Sequence, residues 1–254
     1  MWVGEREQHI LRLLTAAEGR IETDRLADIL KVSRETIRRD LLRLESVGKV
    51  RRVHGGVFAV DISAEKPFLA RRRLNAEAKQ RIAQVAARLL QSGEACFIDA
   101  GTTTAALATV LSNSPLVAAI TNSLDVASTF RNAQPNADVL LLGGQLGTDV
   151  PGTYGELTIS QIQRFRPDVA FISTVGLHPK HGATNYLLPE AEVARAMIAN
   201  ARRVVLLADR SKLGEVSRVL VCDCLKIDVL VVERGGHPLL AQLKKAGVHN
   251  ILEA

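Results

Sequence analysis

Long apolar runs are missing from this chain. Those present, such as Leu116 to Ile120, stop far short of the roughly 18 residues that a membrane-spanning helix needs. The opening residues, MWVGEREQHILRLL, interleave acidic and basic side chains and contain no apolar stretch followed by small residues, which argues against a secretory leader. Cysteine is scarce: there are three, and only Cys222 and Cys224 stand close, as a C-x-C. No second cysteine or histidine pair at metal spacing accompanies them, so no metal site is expected. His178 and His181 are three apart but lack a third ligand, and read as surface histidines; Cys96, inside an apolar run, reads as a small core residue. Tandem repeats and low-complexity tracts are absent too. The expectation is a soluble, reduced, cytoplasmic protein without a cofactor.

What is present is a chain of 254 residues, 47% hydrophobic, long enough for one large or two modest domains with a substantial core. The net charge of +6 is unevenly placed. Residues 1–81 hold 18 Lys and Arg against 12 Asp and Glu, whereas residues 82–254 hold 15 of each. A polyanionic partner is therefore expected for the first third of the chain.

That third is organised around Val32 to Val57. Ser33 is a preferred N-cap type, and Ile37, Leu41 and Leu44 follow at i, i+4 and i+7 as one apolar stripe before Gly48. Off the stripe lie Arg34, Glu35, Thr36, Arg38 and Arg39, and Lys49, Arg51 and Arg52 follow at once. Such charges can simply solvate an outer face, and Glu35 with Arg39 can be a plain surface ion pair. The context favours more. Thr23 to Leu30 reads as another helix, with Thr23 as its cap and Leu26, Ile29 and Leu30 apolar. Only Lys31-Val32-Ser33 separates the two, which fits a helix-turn-helix. Glu5 to Ala17 supplies a first helix through Ile10, Leu11, Leu13 and Leu14, stopped by Gly19, with Ile21 packing between helices. Val50 to Val60 reads as a hairpin wing turning at Gly55-Gly56. A basic helix followed by a basic hairpin is suited to DNA, the helix in the major groove and the hairpin on phosphates.

This block closely resembles the signature of the DeoR family of bacterial transcriptional regulators. The matching residues are Val32-Ser33, Thr36-Ile37-Arg38-Arg39-Asp40-Leu41, Leu44-Glu45, Gly48 and Arg52-Val53-His54-Gly55-Gly56. The resemblance implies a winged helix-turn-helix over residues 1–60 that binds double-stranded operator DNA. Thr23, Ser33, Arg34, Glu35, Thr36, Arg38, Arg39, Lys49, Arg51, Arg52 and His54 are the candidate contacts.

Asp61 to Leu74 contains Pro67 and Arg71-Arg72-Arg73 with little periodicity, and reads as a linker running alongside DNA or the second domain. Asn75 is placed to cap a helix carrying Ile82, Val85, Ala86, Leu89 and Leu90. Residues 75–254 then alternate apolar runs with helical stretches. The runs are Ala95–Asp99, Leu116–Thr121, Asp138–Leu142, Val169–Val175, Arg203–Ala208 and Asp228–Val232; the helical stretches are Thr104–Leu111, Leu124–Ala133, Glu156–Arg164 and Glu190–Ala201. That rhythm predicts an α/β domain with a mostly parallel sheet.

Ligands of parallel sheets gather at the carboxyl ends of strands. There the sequence places Asp99-Ala100-Gly101-Thr102-Thr103-Thr104 before a helix, a loop suited to phosphate but equally to a plain run of capping threonines. No lysine follows in a nucleotide triphosphate pattern. Asn122, Gly143, Gly144, Gly155, Gly176, Asp209 and Lys212 sit at further strand ends. Asp99 and Asp209 can accept from sugar hydroxyls, and Lys212 can pair with a phosphate or carboxylate.

Ile98 to Thr104, Thr121-Asn122-Ser123, Leu142-Gly143-Gly144, Gly176 and Asp209 to Gly214 resemble the DeoR sensor domain, which is similar to ribose-5-phosphate isomerase. The resemblance implies a phosphorylated sugar or related metabolite as effector, held by Asp99, Gly101 to Thr104, Asn122, Asp209 and Lys212. Two segments depart from the family pattern, Val232-Glu233-Arg234 and Leu177 to Leu188. Thr153 to Thr158 resembles relatives that respond to glycerol-3-phosphate. The expected protein is a repressor of a carbohydrate-catabolism operon, dimeric or tetrameric and not an enzyme. The rival is a sugar-phosphate isomerase with a nucleic-acid-binding appendage, using Asp99, Asp209, Glu192 and Lys212 as acid–base groups.

Overall fold

The computed structural model describes residues 3–17, 20–46, 49–53, 56–59, 66–113, 118–134 and 136–254. They form two units, Met1–Ala64 and Glu65–Ala254. Among the described residues no helix is long and apolar enough to cross a membrane.

The first unit runs α1 (Val3–Ala16), β1 (Arg20–Glu22), α2 (Thr23–Leu30), α3 (Arg34–Ser46), β2 (Val50–Val53) and β3 (Gly56–Ala59). Its strands form an antiparallel sheet in the order β1-β3-β2. The stripe read from the sequence is its core: Ile37, Leu41 and Leu44 of α3 are buried with Ile10 and Leu14 of α1 and Leu26 of α2. Between α2 and α3 the chain turns at Lys31, which takes a left-handed conformation and donates its N–H to the Ala27 carbonyl. Ser33 then caps α3, its Oγ accepting from the Thr36 N–H at 3.2 Å.

Two expectations are corrected here. Thr23 is not a cap but the first residue of α2, after Glu22. Ile21 does pack among the helices, as expected, and reaches that core from strand β1, opposite Val57. Gly56 pairs with Val53 inside the sheet and so does not belong to the turn. Gly19, Gly48, His54 and Gly55 lie outside the described residues.

One buried ion pair ties α1 to α3. Asp40, fully buried, accepts from Arg6 Nε, from Arg6 Nη2 at 3.0 Å and from Arg43 Nη2 at 2.5 Å. Burial alone would raise the Asp40 pKa, but the hydrogen bonds and charges of Arg6 and Arg43 outweigh it and hold the carboxyl below its usual range. The aspartate of the sequence signature is thus a fastener within the unit.

The second unit begins with α4 (Phe68–Arg73) and α5 (Ala76–Ala87), followed by β4 (Ala95–Ile98), α6 (Thr102–Leu111), β5 (Ala118–Thr121), α7 (Leu124–Ala133), β6 (Val139–Leu141), β7 (Gln145–Leu146), β8 (Thr153–Tyr154) and α8 (Glu156–Ile162). It continues with β9 (Val169–Ser173), β10 (Gly176–His178), β11 (Gly182–Asn185), α9 (Leu188–Asn200), β12 (Arg203–Ala208), β13 (Val219–Cys222), β14 (Val229–Val232), α10 (Leu239–Lys245) and β15 (Asn250–Glu253). Seven strands make a parallel sheet in the order β15-β14-β12-β9-β4-β5-β6. Alternate residues face opposite sides. Phe97, Ile172 and Leu206 pack under α8, α9 and α10, whereas Ile98, Phe171 and Leu207 pack under α5, α6 and α7. Burial on both faces is why these strands read as unbroken apolar runs. Cys96 is among them, and burial pushes its thiol up to about 12.

The segment Leu177 to Leu188, which departs from the family pattern, supplies β10 and β11, and these join β13 in a separate antiparallel sheet. The expected linker is corrected in part, because residues 66–74 belong to the second unit and six of them form α4. The charge argument shifts with them. Twelve Lys and Arg stand against ten Asp and Glu before the boundary, and 21 against 17 after it. Most of the positive excess therefore lies in the α/β unit.

Removing one partner of a buried ion pair costs about 3–5 kcal/mol, an upper figure here because Arg43 is half exposed. Asp40→Ala should lower the melting temperature of the first unit accordingly. Because the folded pKa of Asp40 is lowered, its contribution is complete above the ordinary carboxylate value of about 3.9 and is lost as pH falls through the folded value. Melting curves across the acid range check this, and Asp40→Asn should flatten that limb.

Candidate functional site

On the first unit, Thr23, Ser33, Arg34, Glu35, Thr36, Arg38 and Arg39 come together on the N-terminal half of α3 and the start of α2. A hollow between these helices and the wing is lined by Thr23, Asp24, Arg34, Glu35, Arg38, Arg52 and Gly56. Much of this charge is already neutralised. Arg34 pairs with Asp24 at 2.8 Å and Arg39 with Glu35 at 3.5 Å, all exposed and therefore weakly held. Arg52 donates its N–H and Nε to the Glu45 carboxylate at 2.9 and 2.7 Å, which fastens the wing to α3. Arg38 is exposed and has no ion-pair partner among the described residues. Lys49 is exposed beside the wing. The Arg51 side chain and His54 lie outside the described residues.

In the second unit a cavity of about 210 Å³ opens at the carboxyl ends of β4, β9 and β12. Ala100, Gly101, Thr102 and Thr103 line it below, Ser173 to Val175 and Asn185 at the side, and Asp209, Ser211 and Lys212 opposite. Gly101 gives the Ser173 side chain its place: a Cβ on it would fall 2.0 Å from Ser173 Oγ, which would have to turn away. The N-terminus of α6 presents its unpaired N–H groups at this place. Four cationic side chains, Lys66, Arg71, Lys79 and Lys212, face two carboxylates, Glu190 and Asp209, across the cavity wall. That excess favours an anionic ligand.

Several residues that the resemblance implied as contacts have other duties. Thr104 is fully buried and donates to the Gly101 carbonyl at 3.0 Å, so it braces the helix start from behind. Asn122 accepts from the Ala100 N–H and donates to the Thr153 carbonyl, both at 3.1 Å, tying two loops together. The expected strand-end glycines are structural too. Gly143 donates to Gln161 Oε1, and Gly144 lies so close to Thr158 that a Cβ would meet its Oγ1 at 2.1 Å. Gly155 precedes α8 with a positive φ of 94°, and a Cβ on Gly176 would fall 2.4 Å from the Glu215 carbonyl. None of these lines the cavity. Asp99 lies just behind the wall; burial, then the charge of Glu190, pushes its pKa well above the usual carboxylate range.

Sequence reasoning missed Lys66, Arg71, Asn75, Lys79, Asn185 and Glu190. Asn75, the expected cap of α5, makes no such bond; its Nδ2 donates instead to Asp209 Oδ1 at 3.1 Å. Lys79 was legible in principle. It stands three residues before Ile82 on the buried stripe of α5, and its Nζ donates to the carbonyls of Arg71 and Leu74 at 2.5 and 2.9 Å. Glu192, an acid–base candidate of the isomerase reading, is turned away to an ion pair with Arg195. The His178 and His181 rings stand 4.9 Å apart, and no group of three metal-ligating side chains gathers among the described residues.

Residues 6–63 match the DeoR-like helix-turn-helix domain, and residues 74–234 match the DeoR C terminal sensor domain. The chain belongs to the DeoR family. Among relatives in that family, the HTH-type transcriptional repressor GlcR of Bacillus subtilis is 33% identical over 235 residues, 92% of this chain and 90% of that one. The glycerol-3-phosphate regulon repressor of Escherichia coli is 31% identical over 229 residues, 90% of each chain. Ribose 5-phosphate isomerase A from Methanocaldococcus jannaschii is similar in structure over 55% of each chain, at 18% identity and a TM-score of 0.41, too low to bear on function. The relatives are transcriptional repressors rather than enzymes, and this DeoR-family chain is a DNA-binding regulator with a small-molecule sensor domain.

Arg38→Ala should weaken operator binding by about 1–3 kcal/mol and relax preference at one base pair. Arg34→Ala should weaken all DNA alike and reduce the salt slope by roughly 1. Binding measured over a randomised operator pool at two salt concentrations separates the two behaviours.

Proposed function

We propose that this protein represses a carbohydrate-catabolism operon and is released from its operator by a phosphorylated sugar or polyol. The observation that carries the reading is the cavity at the strand ends, where the α6 N-terminus and four cationic side chains surround a space suited to one small anion. In this reading the N–H groups of Thr102 and Thr103 hold the phosphate together with Lys212 and Arg71, whose guanidinium is better preorganised than an ammonium for paired oxygens. Asn75, Asn185, Glu190 and Asp209 are placed for hydroxyls. A cavity of about 210 Å³ admits a small phosphorylated metabolite. One of the two relatives above is named a repressor of the glycerol-3-phosphate regulon, which agrees with that class.

The reader and the cavity belong to different units, so release operates through the arrangement of readers rather than by competition for DNA. An operator with repeated half-sites calls for a dimer or tetramer that holds readers about 34–36 Å apart or a multiple of that. A ligand shifts such an arrangement only by favouring one state, and couplings of this kind are typically about 1–3 kcal/mol.

Thermal-shift screening over sugar, polyol and sugar-acid phosphates should give stabilisation by one class, and little by the dephosphorylated forms. Lys212→Ala should reduce that stabilisation, measured against the variant's own unliganded melting temperature. Calorimetric titration of the ligand found, with and without operator DNA, should then show affinity lowered about 5–150-fold by DNA. Equal binding of phosphorylated and dephosphorylated forms would overturn the phosphate assignment; tighter binding on DNA would make the metabolite a co-repressor.

A further inference from the structure

We propose that α4 is a ligand-dependent clasp: an anion in the cavity holds this helix docked, and its release lengthens the tether to the DNA-binding unit. The inference rests on the anion reading of the cavity given above. Residues 64–73, which include α4, lie between the two family matches at 6–63 and 74–234.

With six residues, α4 is too short to persist on its own helical propensity. It is held by contacts at both ends. At its start, Asp149 accepts from the Phe68 N–H through both carboxylate oxygens at 3.0 Å and pairs with Arg71 at 3.2 Å. Phe68 itself is buried. At its end, the carbonyls of Arg71 and Leu74 receive the buried ammonium of Lys79, a positive charge at the negative end of the helix. Just beyond, Asn75 donates to Asp209.

Two of these fasteners, Arg71 and Lys79, also line the cavity. With α4 docked, Lys66 and Arg71 stand with Lys79 and Lys212 in the cavity lining, opposite Glu190 and Asp209. An anion gains the contact with Arg71 only while the helix is docked, so it favours the docked state. Docking and occupancy are therefore linked, and each must strengthen the other by the same factor.

The consequence for reach is geometric. Docked, α4 covers about 9 Å along its axis and the tether ends at the unit's surface. Released, residues 66–74 join the tether and add on the order of 30 Å of extended chain. A released α4 therefore lengthens the stretch of chain that joins the two units.

Hydrogen–deuterium exchange on the full chain tests this, with inorganic phosphate as the probe against chloride at matched ionic strength. Phosphate should slow exchange at the α4 amides of Arg71 and Leu74, which bond to the Pro67 and Ala70 carbonyls, and at Thr102 and Thr103. Asp149→Ala removes the cap and frees Arg71 of its carboxylate, which by charge alone would strengthen phosphate binding, so a weakening reports the helix. It should speed α4 exchange roughly 3–30-fold, as expected for a lost cap, and weaken phosphate binding read at Thr102 and Thr103 in proportion to the fall in the docked fraction. Asp149→Asn, which keeps a capping oxygen, should restore part of both effects. Slowing at Thr102 and Thr103 with α4 unchanged would overturn the clasp and leave the anion site standing. The clasp falls likewise if Asp149→Ala frees α4 without weakening phosphate. No slowing at either place would overturn both.

Discussion

A lysine ammonium cannot be buried without oxygens around it, and Lys79 finds them in the carbonyls at the end of α4. Much of the sensor unit's chemistry depends on that demand. It folds residues 66–74 back across the strand ends, where they would otherwise run free. Arg71 and Lys66 reach the cavity wall as a result, and Asn75 is set where it can hold Asp209. The cavity is thus made by two kinds of structure. Its floor is the ordinary carboxyl edge of a parallel sheet, and its roof is a short helix kept in place by polar contacts.

The first unit uses the same physics on a smaller scale. Asp40 is sealed between α1 and α3, and its burial is tolerable only because Arg6 and Arg43 converge on it. The pair fixes how α3 lies against α1, and the α3 N-terminal half then projects its charged side chains outward. Glu45 does the equivalent for the wing by holding Arg52. Residues that look like a basic surface in the sequence are therefore of two kinds, one engaged in internal fastening and the other, with Arg38 foremost, turned outward.

The electrostatics of the cavity separate its two aspartates. Asp209 lies at the wall and accepts from Asn75, from Ser211 Oγ at 2.5 Å and from the Ser211 N–H at 3.0 Å, a set of donors that suits a carboxylate. Asp99 lies behind the wall, where burial disfavours its charge more than the backbone of Ala100, donating at 2.8 Å, and that of Ser173 favour it. An anionic ligand therefore meets cations and backbone N–H groups on one side, with a carboxyl behind them whose charge is disfavoured by burial.

The sequence by itself determined the elements whose signal is local. Period 3.6 marked α3 through Ile37, Leu41 and Leu44, and unbroken apolar runs marked β4, β9, β12 and β14 because those strands are buried on both faces. Gly101 before three threonines marked the loop at the cavity floor. The tertiary structure alone decided what depends on partners distant in the chain. Lys66, Arg71 and Lys79 looked like a charged linker and a helix surface until contacts with residues up to about 80 positions away folded them over the cavity. Asn122, Thr104 and the glycines at 143, 144, 155 and 176 sat at plausible strand ends, yet hydrogen bonds between loops, close packing at Gly144 and Gly176 and the positive φ of Gly155, none of which a spacing rule encodes, gave them structural duties. Periodicity reports which face of an element is buried; it cannot report which side chain from another element arrives there, and that arrival is what makes a site.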